Sequence, residues 1–138
     1  MSKRKTEWEG RGIVKGIASG LAIVSNTAFS FLGDVDIRTG TVVGQSNDLL
    51  GRCIKGLVLV VPATRGSAGA WRFLYQLKVH GTHPVAIVTN ELPDPSVVQG
   101  AILSNIPIVS LPLIDLHKAI SSGCIIEVDG ITGKVRAL

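Results

Sequence analysis

Arg65-Gly66-Ser67 is where residue types and surroundings best fit chemistry. A cation, a glycine and a hydroxyl stand between an apolar run, Leu57 to Val61 closed by Pro62, and a segment with apolar residues at Ala70, Phe73, Leu74 and Leu77. The run suits a buried strand, and the 70, 73, 74, 77 spacing draws one stripe on a helix. Ser67 is therefore expected at a helix N-terminus. Free amide groups and the helix dipole favour negative charge there, so a Ser67 alkoxide, or a bound carboxylate or phosphate, would be stabilised. Arg65 adds a fixed cation. Read alone, a serine before a helix is first of all a structural cap.

Other reactive residues form weaker patterns. Asp34 and Asp36 share one face of an extended segment and could serve as acid and base or hold a hard cation, but Asp36 to Gly40 also reads as ordinary turn chemistry. Arg65 stands where a nucleophile elbow needs its first glycine, and no Gly-Lys-Ser/Thr follows Gly66 to make a phosphate loop. Cys53 and Cys124 lie far apart in apolar surroundings and are expected to be buried thiols. His80, His83 and His117 read as surface or loop residues, without a zinc-binding pattern.

The elements that must position Arg65-Gly66-Ser67 alternate along the middle of the chain. Strands are expected at 57–61, 85–89 and 106–110, with helices from Ala70, from Pro95 to about Ser104, and over about 114–120. Gly81-Thr82-His83-Pro84 stops the first helix, and Asp94-Pro95 is an N-cap followed by proline at the first helical position. Glycine-punctuated strands at about 11–17 and 20–25 precede this block, a possible strand covers 52–55, and a hairpin joins 124–129 to 134–138. Parallel strands joined by helices require right-handed crossovers. The expected fold is therefore an α/β domain of β/β/α type, with the Gly66-Ser67 turn at the carboxyl end of its strand, where open sheets of this kind bind ligands.

Composition sets the outer bounds. At 138 residues, 46% of them hydrophobic, the chain is expected to form one domain with a sizeable core. No apolar run approaches the roughly 20 residues of a membrane span, and no signal segment follows Met1, so the expected location is cytoplasmic. The net charge of +4 includes Lys3-Arg4-Lys5, read as part of a basic flexible tail over residues 1–9. With 4% aromatic residues there is no stacking platform for nucleic acid. A small anionic substrate fits the charge at least as well.

Several blocks together carry a resemblance. Gly10-Arg11, Ser30-Phe31-Leu32-Gly33 with Val35-Asp36 and Thr39-Gly40, Leu50-Gly51 with Lys55-Gly56, and Pro62 with Arg65-Gly66-Ser67 resemble, in this order, the small swivelling subunit of the aconitase X family. The resemblance covers about residues 10–110. It implies a swivelling β/β/α domain over residues 10–138 and a large partner subunit carrying a [4Fe-4S] cluster, none being bound by this chain alone. The implied reaction is loss of water from (R)-5-phosphomevalonate to give trans-anhydromevalonate 5-phosphate. Ser67 would be the proton-abstracting base, with Arg65, Gly66, Ser30 and Gly33 contacting the substrate. The chain departs from the family pattern at Asp34, at Ala68 and at Asn47, where a second glycine, a small hydroxyl residue and a histidine are usual.

Three other readings stay open at this stage. Another dehydratase of the same family, acting on hydroxyproline or a different hydroxy acid, would use the same Ser67. The closing hairpin, Ile126 to Gly130 with Gly133 to Val135, is similar to that of phosphohistidine swivelling domains, but those need a histidine where Ser67-Ala68 stands. A non-catalytic interaction module would leave Ser67 as a cap.

Overall fold

Val58–Val61 forms β5, and all of its residues are buried, as a run apolar on both faces requires. The computed structural model describes residues 6–138. Around β5 the chain is ordered β1 (Glu7–Glu9), β2 (Arg11–Val14), β3 (Ile17–Val24), β4 (Phe29–Ser30), then β6 (Thr64–Arg65), α1 (Ala70–His80), β7 (Ala86–Thr89), α2 (Pro95–Ser104), β8 (Ile108–Ser110), α3 (Leu116–Ala119), β9 (Ile125–Asp129) and β10 (Lys134–Ala137). The main sheet runs β1-β10-β9-β3-β5-β7-β8-β2, and β4 pairs with β6 in a small second sheet.

One strand joins two layers. Ile17 to Leu21 of β3 pair antiparallel with β9, whereas Ala22 to Val24 pair parallel with β5. Leu59, Val61, Ile87 and Ile108 point to the face covered by Ala70, Leu74 and Leu77 of α1 and by Val97 and Ala101 of α2. Their sequence neighbours Val58, Val60, Ala86, Val88 and Val109 face the other way, onto Trp8, Ile126, Val128 and Val135 of the outer strand layer. Alternation along each strand thus feeds two cores, and the β/β/α layering expected from the sequence is observed.

The helices approach closely because of one residue. A Cβ on Gly100 would lie 3.0 Å from both the Cα and the carbonyl oxygen of Trp71, and 3.2 Å from the Leu74 Cβ. Backbone cannot yield as a side chain can. Gly100→Val is therefore expected to lower stability by about 1–3 kcal/mol through overpacking, read as a lower denaturant midpoint at unchanged m. An unchanged midpoint would show that the two helices part freely.

Four expectations need correction. The tail expected over residues 1–9 ends sooner, because Glu7–Glu9 pair with β10 and Trp8 is 5% exposed. In this pairing Glu7 lies 3.6 Å from the Lys134 ammonium, diagonally across the two strands; Lys3-Arg4-Lys5 lies outside the described residues. Residues 52–55 form only an isolated bridge, Thr41 with Cys53, since Gly51 and Gly56 at φ 86° and 73° turn the chain away on either side. Cys53 is exposed and Cys124 partly so; Cys53 points outward and donates to the Thr39 carbonyl at 3.3 Å. The helix expected over 114–120 is the short α3, capped by the Asp115 carboxylate.

Candidate functional site

The carboxyl end of β5 opens into the segment that carries the expected site. After Pro62 and Ala63, β6 runs parallel to β4 with Phe29 opposite Thr64 and Ser30 opposite Arg65. Phe29 and Phe31, both fully buried and on either side of Ser30 in sequence, pack against each other with ring centroids 5.0 Å apart and planes tilted by 57°. They anchor it. The Ser30 carbonyl accepts from Asp34 N at 2.9 Å and Gly33 N at 3.4 Å, so Gly33 sits in the tight turn that follows Ser30. A Cβ there would meet nothing within 4 Å, which leaves this turn open to approach.

The two aspartates are structural. Asp34 accepts from the Ser30 amide at 2.9 Å and from the Asn47 side chain at 3.2 Å, and Asp36 accepts from Arg38 N at 2.9 Å. A third carboxylate, Asp48, braces the approach to Ser30. Burial pushes its pKa upward, but hydrogen bonds from Ser25, Asn26 and Thr27 outweigh that and hold it below the usual carboxylate range.

Ser67 is exposed, two residues ahead of the α1 cap. The N-cap is Gly69, so the expected capping role does not hold. Ser67 instead opens the turn into α1: its carbonyl accepts from Ala70 N at 3.0 Å and its Oγ from Gly69 N at 3.3 Å. The first amides of the helix are not free for an anion, because Trp71 N donates to Ser96 Oγ and Arg72 N to the Gly69 carbonyl. The Gly69 amide is nevertheless aimed at the Ser67 oxygen, where it would stabilise negative charge.

Arg65 is not fixed beside Ser67. Its guanidinium lies 3.6 Å from Glu91, with the two side chains 61% and 62% exposed, and it donates to the Thr64 carbonyl at 3.2 Å. An ion pair this exposed is worth about 0–1 kcal/mol. Exchange of Glu91 for another anion therefore costs little.

Gly66 and Ser67 line one wall of an open cleft of about 410 Å³ between the starts of α1 and α2. The opposite wall brings Asp94, Ser96 and Gln99, none of which the sequence singled out for chemistry. Asp94 was expected to cap α2. Among the described residues, however, its side chain caps nothing, and Oδ2 is buried without a donor. Beyond Glu91 a second hollow of about 530 Å³ is lined by Arg11, Asn90, Leu92 and Ser110.

The fold thus gathers Arg65, Gly66 and Ser67 with Ser30 alongside in register and Gly33 in the next turn. Histidines play no part. His80 closes α1 at the end away from Ser67 and His117 is exposed on α3. His83 lies between α1 and β7, and burial of its ring, with the charge of Lys78 adding, pushes its pKa below the usual histidine range. Among the described residues no three His, Cys, Asp or Glu side chains converge as a metal site. No helix of the described residues is long and apolar enough to cross a membrane.

Comparison with known proteins shows the family and the fold. A phosphomevalonate dehydratase small subunit from Methanosarcina acetivorans is 39% identical over 130 residues, covering 94% of this chain and 90% of that one. One from Methanocaldococcus jannaschii is 42% identical over 132 residues, covering 96% and 98%. A chain of the crystal structure of Thermococcus kodakaraensis aconitase X in its holo-form superposes with a TM-score of 0.88 at 36% identity, covering 97% and 99%. The aconitase X swivel domain model matches residues 7–137, and the chain belongs to that family.

Proposed function

We propose that this chain is the small subunit of a two-subunit hydro-lyase that dehydrates (R)-5-phosphomevalonate to trans-anhydromevalonate 5-phosphate, with Ser67 as the base. One observation carries most of the weight: the Arg65-Gly66-Ser67 turn stands exposed over an open cleft at the carboxyl end of β5, with a backbone amide aimed at the Ser67 oxygen. The names of the relatives, phosphomevalonate dehydratase small subunits, support phosphomevalonate as the substrate.

The chemistry needs a strong base beside a carboxylate. The proton on the carbon next to the substrate carboxylate passes to the Ser67 alkoxide, and the pair of the broken C–H bond becomes the new C=C bond. The hydroxyl on the adjacent carbon leaves with the C–O pair as hydroxide; passage of the captured proton from Ser67 to that hydroxide completes the water and restores the alkoxide. A serine oxygen takes that proton only if its anion is stabilised. Gly69 N–H donates to it, and exclusion of water by a partner chain would strengthen that bond. Arg65, released from Glu91, is placed to meet a substrate anion. The cluster expected on the large partner would supply a Lewis acid for the departing hydroxyl.

The test is reconstitution. Co-expressed with the large subunit from the same source, the chain is expected to yield a complex that dehydrates (R)-5-phosphomevalonate, whereas the chain alone turns over nothing. Turnover by the isolated chain would overturn the two-subunit reading, and a complex that dehydrates 3-hydroxyproline but not phosphomevalonate would overturn the substrate.

A further inference from the structure

Resting on the reading of Ser67 as base, we propose that Ser96 is a positioning residue that sets where the Ser67 oxygen stands. Helix α1 has no side chain of its own at its cap, because Gly69 occupies that position. Without help the Trp71 amide would be left without an acceptor. The hydroxyl of Ser96, in the first turn of α2, takes that amide at 2.9 Å and donates its own proton to the Ala68 carbonyl at 2.9 Å.

One side chain thus bonds the backbone on both sides of Gly69. That matters because Gly69 is the joint between the reactive turn and the helix, and a glycine there offers little resistance to rotation. The other end of the turn is held by the same helix: Asp94 N donates to Thr64 Oγ1 at 3.1 Å, and Thr64 is buried. Segment 64–71 is therefore pinned before and after Ser67 by the first turn of α2. The close passage of Gly100 over Trp71 keeps the two helices from sliding.

Proton transfer is sensitive to misplacement on this scale, a shift of about 1 Å costing about 100-fold. Ser96 is not argued to touch the reacting atoms. It acts through Ala68, Gly69 and Trp71 on the direction of the Ser67 side chain.

The test uses the two-subunit complex with Ser96→Ala, Ser96→Thr and Ser67→Ala prepared in parallel. Ser96→Ala is expected to lower kcat about 10- to 100-fold with KM changed less than about twofold, and to raise the amide exchange rate of Trp71. Ser96→Thr, which keeps the hydroxyl, is expected to restore both. Faster Trp71 exchange at unchanged kcat would show a cap and nothing more, overturning the proposal. A raised KM at unchanged kcat would assign Ser96 to substrate contact instead and equally overturn it. Turnover retained in Ser67→Ala would remove the reading of Ser67 itself, and the positioning role with it; turnover lost in Ser67→Ala but kept in Ser96→Ala would remove the positioning role alone.

Discussion

Ser67→Ala is expected to leave the complex assembled and to lower kcat by about 10²- to 10⁴-fold, the range that a positioned general base contributes. The physical case lies in how little else the side chain does. Its Oγ receives one hydrogen bond, at 3.3 Å from Gly69 N, in a turn open to solvent that can supply a water in its place. The fold should therefore lose no more than about 1 kcal/mol. Steady-state kinetics on the complex, with size-exclusion chromatography and thermal unfolding on the same preparation, separate the outcomes. A loss of only a few-fold would reduce Ser67 to a turn residue.

Phe31→Ala is expected to be the most destabilising single truncation near the site, at about 3–5 kcal/mol for a fully buried phenylalanine. That is a large share of the roughly 5–15 kcal/mol that holds a domain together. Phe31 has no accessible surface and packs 5.0 Å from the Phe29 ring; the pair holds the strand in which Ser30 lies opposite Arg65. Phe31→Leu, which keeps most of the volume, should cost less than about 1.5 kcal/mol. Denaturant midpoints measure both, and equal values would mean that the ring fills no specific space.

Much of the scaffold was legible because its signals are local. β5, β7 and β8 read as short apolar runs, Pro95 and Gly81 mark helix ends, and Gly130 to Gly133 announces the last hairpin. Trp8 was not legible: it hides between two glutamates beside a basic cluster, and its burial depends on strands some 120 residues further along the chain. Ser67 stood out for its neighbours, but the cap that a serine before a helix suggests falls on Gly69, since a glycine caps a helix without leaving a side-chain signature. Cys53 misled because apolar neighbours suggest burial, whereas a single bridge turns its side chain outward.

What stayed hidden at the site is non-local. Glu91 meets Arg65 and Ser96 meets Trp71 only after α1 and β7 have folded between them. No spacing rule links such positions. Asp94 shows the converse: its sequence setting is that of a cap, yet its side chain bonds no amide of α2 and lines the cleft with Oδ2 buried and without a donor.

The pairing of β1 with β10 bears on biosynthesis. Glu7–Glu9 leaves the ribosome well before its hydrogen-bonding partner, Lys134–Ala137. Until Val128 and Val135, its neighbours in the outer core, have been synthesised, Trp8 has no pocket to enter. The outer layer therefore closes only after β9 and β10 have emerged, by the slow, long-range closure that high contact order imposes, while the α1 and α2 layer can collapse earlier. A nascent chain stalled before β9 would thus expose the faces of Val58, Val60 and Val88 to whatever chaperone stands at the tunnel exit.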